Sequence, residues 1–178
     1  IANTAFVYST ASNTARGSYS TTSPVTTVAF SGTESGTLVY GERNGSVHLV
    51  RTAALESRPL APAHTGPVTA LAFSNDGRSM VSVGDGTEAL VWDVAKGRLK
   101  ARIRPRDSDI NAVAFSRSDR DLAYGGTGGT VRFVRLTRPL PGISPNPDIT
   151  FFDESSPTDD VDTPPLPKAA LAPEAYAV

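Results

Sequence analysis

At 178 residues the chain has the length of one ordinary domain, and its net charge of −1 gives it no polyelectrolyte character as a whole. The absence of cysteine excludes disulfides and cysteine-based metal sites, and no apolar run approaches the ~18 residues of a transmembrane helix. No leader pattern is readable, but a start at Ile1 rather than Met leaves a processed or absent leader open; the compartment stays open, with a soluble, cytoplasmic chain slightly favoured.

Residues 1–24 are rich in Ser and Thr. Phe6-Val7-Tyr8 precedes Leu38-Val39-Tyr40 by 32 residues, and the same offset lays Asn13-Thr14 over Gly45-Ser46. Residues 5–20 therefore read either as two strands of an eroded structural unit or as a polar leader packed on its neighbour. Strand signals become regular from Val25. Val25–Ser31 (VTTVAFS) is a first strand, and Leu38–Arg51 holds two more around the tight-turn sequence Asn44-Gly45-Ser46. That triplet also matches a glycosylation sequon, but turn chemistry accounts for it. Pro59, Pro62 and Pro67 punctuate the crossing to a second unit. There VTALAFS (Val68–Ser74), SMVSVG and ALVWDV are separated by turns at Asn75–Arg78 and Asp85–Thr87. A third unit opens with INAVAFS (Ile110–Ser116). Its glycine cluster Gly125–Gly129 precedes a strand, Thr130–Val134, and not the helix that a phosphate-binding loop requires, so it reads as a hairpin turn.

The three first strands share one pattern, and the paired segments after them begin at Leu38, Met80 and Leu122, 42 residues apart each time. A period of about 40–45 residues with four strands per unit is the signature of propeller blades. The stretch Ala63–Val94 resembles a repeat of the WD-repeat β-propeller family. His64 stands where that family has the His of its Gly-His pair, and Trp92-Asp93 is the pair that names it. The other two units depart from the pattern, with Val50-Arg51 and Val134-Arg135 at that place. The expected fold is all-β: four-stranded antiparallel meanders making an incomplete ring of about 3–3.5 blades, then an extended Pro-rich acidic tail. The expected boundaries are a degenerate half-blade or leader over 1–24, blades over 25–62, 63–106 and 107–138, and an arm over 139–178.

His64, Ser82 and Asp85, with Trp92 beside them, are the residue types of a hydrolase triad. Ser82 lies inside an apolar strand and not on an exposed, strained turn, which argues against a nucleophile. The resemblance instead implies a structural hydrogen-bond network of His64, Ser82, Asp85 and Trp92, with Asp85 about one position off the family's turn register. No catalytic residue, metal ligand or cofactor is expected. Arg98, Lys100, Arg102, Arg104 and Arg106 alternate with Leu99, Ala101 and Ile103, the period of a half-buried strand. This strip reads as the outermost strand of its blade. It is either an edge kept soluble by charge or a docking strip for an acidic protein segment; nucleic acid is disfavoured because no aromatic residues interleave.

After Arg138 the composition changes. Residues 139–178 hold nine of the fourteen prolines and seven acidic residues against one lysine. Such a segment buries too little apolar surface to fold alone. It is expected to stay solvated, to order on a partner through two apolar spots, Ile149–Phe152 (with Phe151 and Phe152) and Tyr176–Val178, or to offer Pro164–Pro167 (PPLP) as a proline-motif ligand to a recognition module. An incomplete ring leaves apolar sheet faces in water, so further blades are expected from a second copy, from a different chain, or from a longer protein of which this is the C-terminal part. The last is favoured. Through the resemblance, the expected function is a non-catalytic scaffold for protein–protein contact, a structural part of a multi-protein assembly. The alternative is a sensor or ligand-binding propeller attached to a catalytic or transport module outside this chain.

Overall fold

Short Val-, Ala- and Phe-rich runs cut by Gly, Asn and Asp turns leave no segment long enough for a helix, and the structure follows that punctuation. The computed structural model describes residues 3–9, 11–33, 36–54, 56–105, 109–136 and 149–151. Every regular element among them is a strand, and no helix is long and apolar enough to cross a membrane.

The chain opens with a hairpin of β1 (Asn3–Ser9) and β2 (Thr14–Thr21). A four-stranded antiparallel meander follows: β3 (Val25–Phe30), β4 (Thr37–Glu42), β5 (Val47–Arg51) and β6 (Glu56–Leu60). The second blade repeats it as β7 (Val68–Phe73), β8 (Ser79–Gly84), β9 (Glu88–Asp93) and β10 (Arg98–Ile103). The third contributes β11 (Ala112–Phe115), β12 (Asp121–Gly125) and β13 (Val131–Arg135). The internal repeat extends to irregularities. Pairing of the first strand on the second slips between Val25 and Thr27 and again between Val68 and Ala70.

Stacking the blades makes three cores. Tyr19, Leu38, Tyr40 and Val50 join the hairpin to the first blade. Val39, Leu49, Leu60, Met80, Leu90 and Trp92 join the first blade to the second, and Val81, Val83, Val91, Ile103, Leu122 and Val134 join the second to the third. The middle strands β4 and β8 are buried at every residue because both of their faces are covered. The ring is not closed. Phe6 and Tyr8 of β1, Val28 and Phe30 of β3, and Val131 and Phe133 of β13 all stand more than half exposed.

One expectation needs correction. The Arg98–Ile103 strand is not the outermost of its sheet. A short strand β14 (Ile149–Phe151) adds antiparallel to it, with Ala101, Arg102 and Ile103 opposite Phe151, Thr150 and Ile149. Ile149 is buried in the core between the second and third blades. The first apolar spot of the Pro-rich region therefore seats on this chain's own second blade. Arg106, Phe152 and Tyr176, together with the rest of the acidic region, lie outside the described residues.

Candidate functional site

The polar centre of the second blade is built by strand periodicity. Side chains alternate across β8 and β9, so Met80, Ser82, Leu90 and Trp92 face the first blade, and Glu88 shares that face. The loop before β7 lays His64 over Gly84, where a Cβ would overlap the imidazole. His64 Nε2 lies 2.8 Å from Ser82 Oγ, and Trp92 Nε1 donates to the same oxygen at 2.9 Å. A carboxylate faces the other side of the ring, and it belongs to Glu88, whose Oε1 is 3.8 Å from His64 Nδ1. That favours the proton on Nδ1 and leaves Nε2 to accept from the Ser82 hydroxyl. Asp85 stands apart: it turns the chain at φ 51°, donates its N–H to Pro67 O at 2.8 Å and packs its carboxyl over Gly66. Burial depresses the His64 pKa to about 4, Glu88 pulls it partly back up and Arg102 pushes it down, so the ring is neutral at pH 7. Ser82 and Trp92 are 0% exposed. The Ser–His–carboxylate geometry is thus sealed from any substrate.

Glu88 also organises the basic strip. Its Oε2 lies 3.0 Å from Arg104 Nε and 3.6 Å from Arg102 Nε, and Lys100 Nζ donates to Ser79 Oγ at 2.9 Å. The alternation expected for Leu99, Ala101 and Ile103 breaks at a register shift between Leu99 and Ala101: Ala101 and Ile103 are buried toward the third blade, whereas Leu99 packs toward the first, and Arg98, Lys100 and the following Arg104 are exposed. Three of the four described cations nevertheless bend back onto their own blade instead of lining one outward face. Phe151 is half-buried against the same core. Among the described residues no cluster of three or more His, Asp or Glu side chains is placed to hold a metal ion.

Comparison with known proteins agrees with the blade geometry. The family model for "WD domain, G-beta repeat" matches residues 57–93, the strands that carry Ser82 and Trp92. Residues 57–93 are thus a WD repeat, and the chain around them is similar to WD-repeat β-propellers. Its fold is similar to the β-propeller domain of Cps50 (Swd1) from Myceliophteria thermophila, with a TM-score of 0.60 and 21% identity over 67% of this chain and 36% of that one. It is also similar to the computationally designed Ika4 protein, with a TM-score of 0.62 and 25% identity over 75% of this chain and 80% of that one. Among curated relatives, rice (Oryza sativa subsp. japonica) Pre-mRNA-processing factor 19 is 36% identical over 49% of this chain and 18% of its own length. Saccharomyces cerevisiae Autophagy-related protein 18 is 27% identical over 66% of this chain and 24% of its own. The chain thus spans no more than a quarter of either curated relative.

The first blade, which lacks the Trp, is tied differently. Stepping back 42 residues from His64, Ser82, Gly84 and Trp92 reaches Thr22, Tyr40, Glu42 and Val50. Glu42 is fully buried and accepts from the Thr22 hydroxyl at 2.6 Å and from the Thr22 N–H at 3.3 Å. His48 lies 3.6 Å from Glu42 and stacks on Tyr40 with ring centres 4.8 Å apart. A carboxylate and two rings on one face of β4 and β5 replace the Ser–Trp pair.

Sequence reading also missed two ties between blades. The Arg58 guanidinium donates to the carbonyls of Val94 and Ala95 at 3.2 and 3.3 Å. The Asp119 carboxylate accepts from the N–H groups of Asn75 and Asp76 at 2.7 and 2.9 Å, clamping the second blade to the third. Partial desolvation pushes the Asp119 carboxyl up, but the Asn75 and Asp76 donors outweigh it and hold it below its ordinary value. Asp119→Asn keeps the positive-φ turn but weakens the clamp. It should destabilise the protein by about 1 kcal/mol in denaturant melts at pH 7, and the difference from wild type should shrink as pH falls through the carboxylate range. A difference that persists unchanged at low pH would sink this reading.

Proposed function

We propose that this chain is a non-catalytic platform for protein–protein contact, a structural part of a larger propeller or multi-protein assembly. The observation that carries this is the open face of the third blade. Ala112, Ala114, Ala123, Val131 and Phe133 lie 42 residues after Ala70, Ala72, Val81, Ala89 and Val91, the residues with which the second blade receives the third. Val81, Ala89 and Val91 are at most 1% exposed, whereas Val131 and Phe133 are 67% and 72% exposed. The third blade therefore presents a blade-receiving face to a further partner. A contiguous apolar surface of this kind is the usual mark of an interaction site.

Two considerations support a platform over an enzyme or a sensor. Ser82 Oγ, already bonded to His64 and Trp92, offers no approach to a substrate. The relatives named for pre-mRNA processing and for autophagy share the repeat and not a process, so what carries over is the capacity to hold partners. The same reading makes His64, Ser82 and Trp92 structural, and places partner contact at the open faces more than on the basic strip.

The test is solution mass by light scattering, with peptide mapping of every chain present, on wild type and on Phe133→Asp. The substitution sits on an exposed side chain, so the melting temperature should hold. Wild type should run as a larger species and the variant should lose it. If both stay near the 18.6 kDa of a single chain at every concentration, the platform reading of this face fails.

A further inference from the structure

We propose that the acidic residues 153–162 dock in cis on a face of exposed arginines formed by the turns of the second and third blades, covering that face against other acidic segments. This goes beyond the platform reading and stands on different residues. The direction in which the chain leaves β14 is the first observation. β14 pairs antiparallel with β10, Ile149 opposite Ile103 and Phe151 opposite Ala101. The backbone at Phe151 therefore points toward Lys100, Arg98 and the 94–97 turn. Ile149, 8% exposed in the core between the second and third blades, fixes that point of departure. Residues 153–162 follow at once and hold five carboxylates, Asp153, Glu154, Asp159, Asp160 and Asp162, with no cation among them.

The turns at this end of the blades, 74–78, 94–97 and 116–120, are bonded to one another. The Val94 N–H donates to the Arg78 carbonyl at 2.9 Å, and the Asn75 side-chain amide donates to the Ser116 carbonyl at 3.0 Å. The carboxylates here are already committed. Asp76 accepts from the Ser74 hydroxyl and the Arg78 N–H, and Asp93 accepts from the Lys96 N–H. Asp119 holds the Asn75 and Asp76 donors, and Asp121 pairs with Arg135. Arg78, Arg98, Arg117 and Arg120 stand exposed, and no described carboxylate pairs with their guanidiniums.

Reach and charge then select the occupant. Crossing from β10 over β9 to β8 covers about 10 Å, whereas residues 153–162 extend to about 33–36 Å. The acidic run therefore reaches Arg98 first, then Arg78, and then Arg117 and Arg120 on the neighbouring turn. Exposed ion pairs are individually weak. A tether that starts on the same sheet raises the effective concentration of the arm to the order of millimolar, which lets several weak pairs hold together. An untethered acidic segment has no such help and must compete with the arm.

The chain contains no cysteine, so two introduced ones report a single distance. Ser118→Cys, exposed on the third-blade turn, and Thr163→Cys, just past the acidic run, carry a donor and an acceptor dye on the full chain. Energy transfer should be high in 0.1 M salt and should fall toward 1 M, where the screening length shortens from about 10 to about 3 Å. Arg78→Glu, Arg117→Glu and Arg120→Glu together should abolish the low-salt transfer with an unchanged melt, since these guanidiniums are exposed. Adding Asp159→Lys, Asp160→Lys and Asp162→Lys to that variant should restore it. Low transfer in 0.1 M salt, transfer that the three arginine reversals leave intact, or failure of the paired reversal to restore it overturns the proposal. Transfer that vanishes on dilution with unlabelled wild-type chain would give the face to the arm of a second copy and overturn it too. Phe133→Asp should leave the transfer unchanged, so this reading and the platform reading can fail separately.

Discussion

Gly84→Ala should destabilise the protein by about 3–4 kcal/mol, while Gly125→Ala, at the end of the equivalent strand of the next blade, should change stability by less than about 0.5 kcal/mol. Gly84 ends β8 beneath the His64 ring, and an added Cβ would overlap Cβ, Cγ and Nδ1 of that residue. His64 is 4% exposed and pinned through Nε2 to Ser82, so it has nowhere to move without breaking that bond. Overpacking a dense site costs about 1–3 kcal/mol. Displacing the imidazole adds the loss of a buried hydrogen bond and leaves the Ser82 hydroxyl and the Trp92 N–H to share what remains, about 1–3 kcal/mol more. At Gly125 the nearest atoms to an added Cβ are 3.5 and 3.8 Å away, ordinary contact distances. Denaturant melts of the two variants check the contrast. Equal losses at both positions would mean that the His64 network contributes nothing specific.

The blades were legible because their signal is redundant. Three VxxxAFS-type strands and a 42-residue period specify each strand several times over, and the structure places β3, β7 and β11 on them. The carboxylate of the second blade was harder to read because it depends on which face a residue occupies. Asp85 carries the turn signal but sits in a left-handed turn with its carboxyl over Gly66. Glu88 starts β9 on the face of Leu90 and Trp92, a placement that strict alternation from Trp92 would have revealed. Missing Glu88 also made the basic strip look outward-facing, since that carboxylate is what draws Arg102 and Arg104 back. The pairing of Ile149–Phe151 with β10 was hidden by composition. Among prolines and acidic residues, three strand-forming residues read as an anchor without an address, and only the tertiary fold supplies the edge they meet. The rebuilt tie of the first blade was hidden for a related reason. A buried glutamate paired with a threonine has no motif, although its position 42 residues before Gly84 is fixed by the repeat.

Acid should weaken the protein through His64 before most carboxylates titrate. In the folded chain the ring has a pKa of about 4, because burial penalises the imidazolium more than the Glu88 charge rewards it, with Arg102 opposing the proton as well. In the unfolded chain it returns to about 6.5. Above that value the ring is neutral in both states and its full contribution is present. As pH falls below 6.5 the unfolded chain takes up the proton first, so stability declines. The decline reaches about 3 kcal/mol near pH 4, where the folded ring is half protonated, and levels off below it as the folded state takes up its proton in turn. His48, the other histidine, is also held below its ordinary value, chiefly by burial against the opposing pull of Glu42, and adds a decline of the same sign. The contribution of His64 is therefore isolated by difference. His64→Gln retains a hydrogen-bonding side chain over Gly84 but has no proton to gain, so it should be less stable than wild type at pH 7 and should lose less between pH 6.5 and 4.5. The two stability curves should converge toward acid. Parallel curves would mean that the imidazole is not held neutral by its burial, and the account of the second blade's polar centre would have to be rebuilt around a charged ring paired with Glu88.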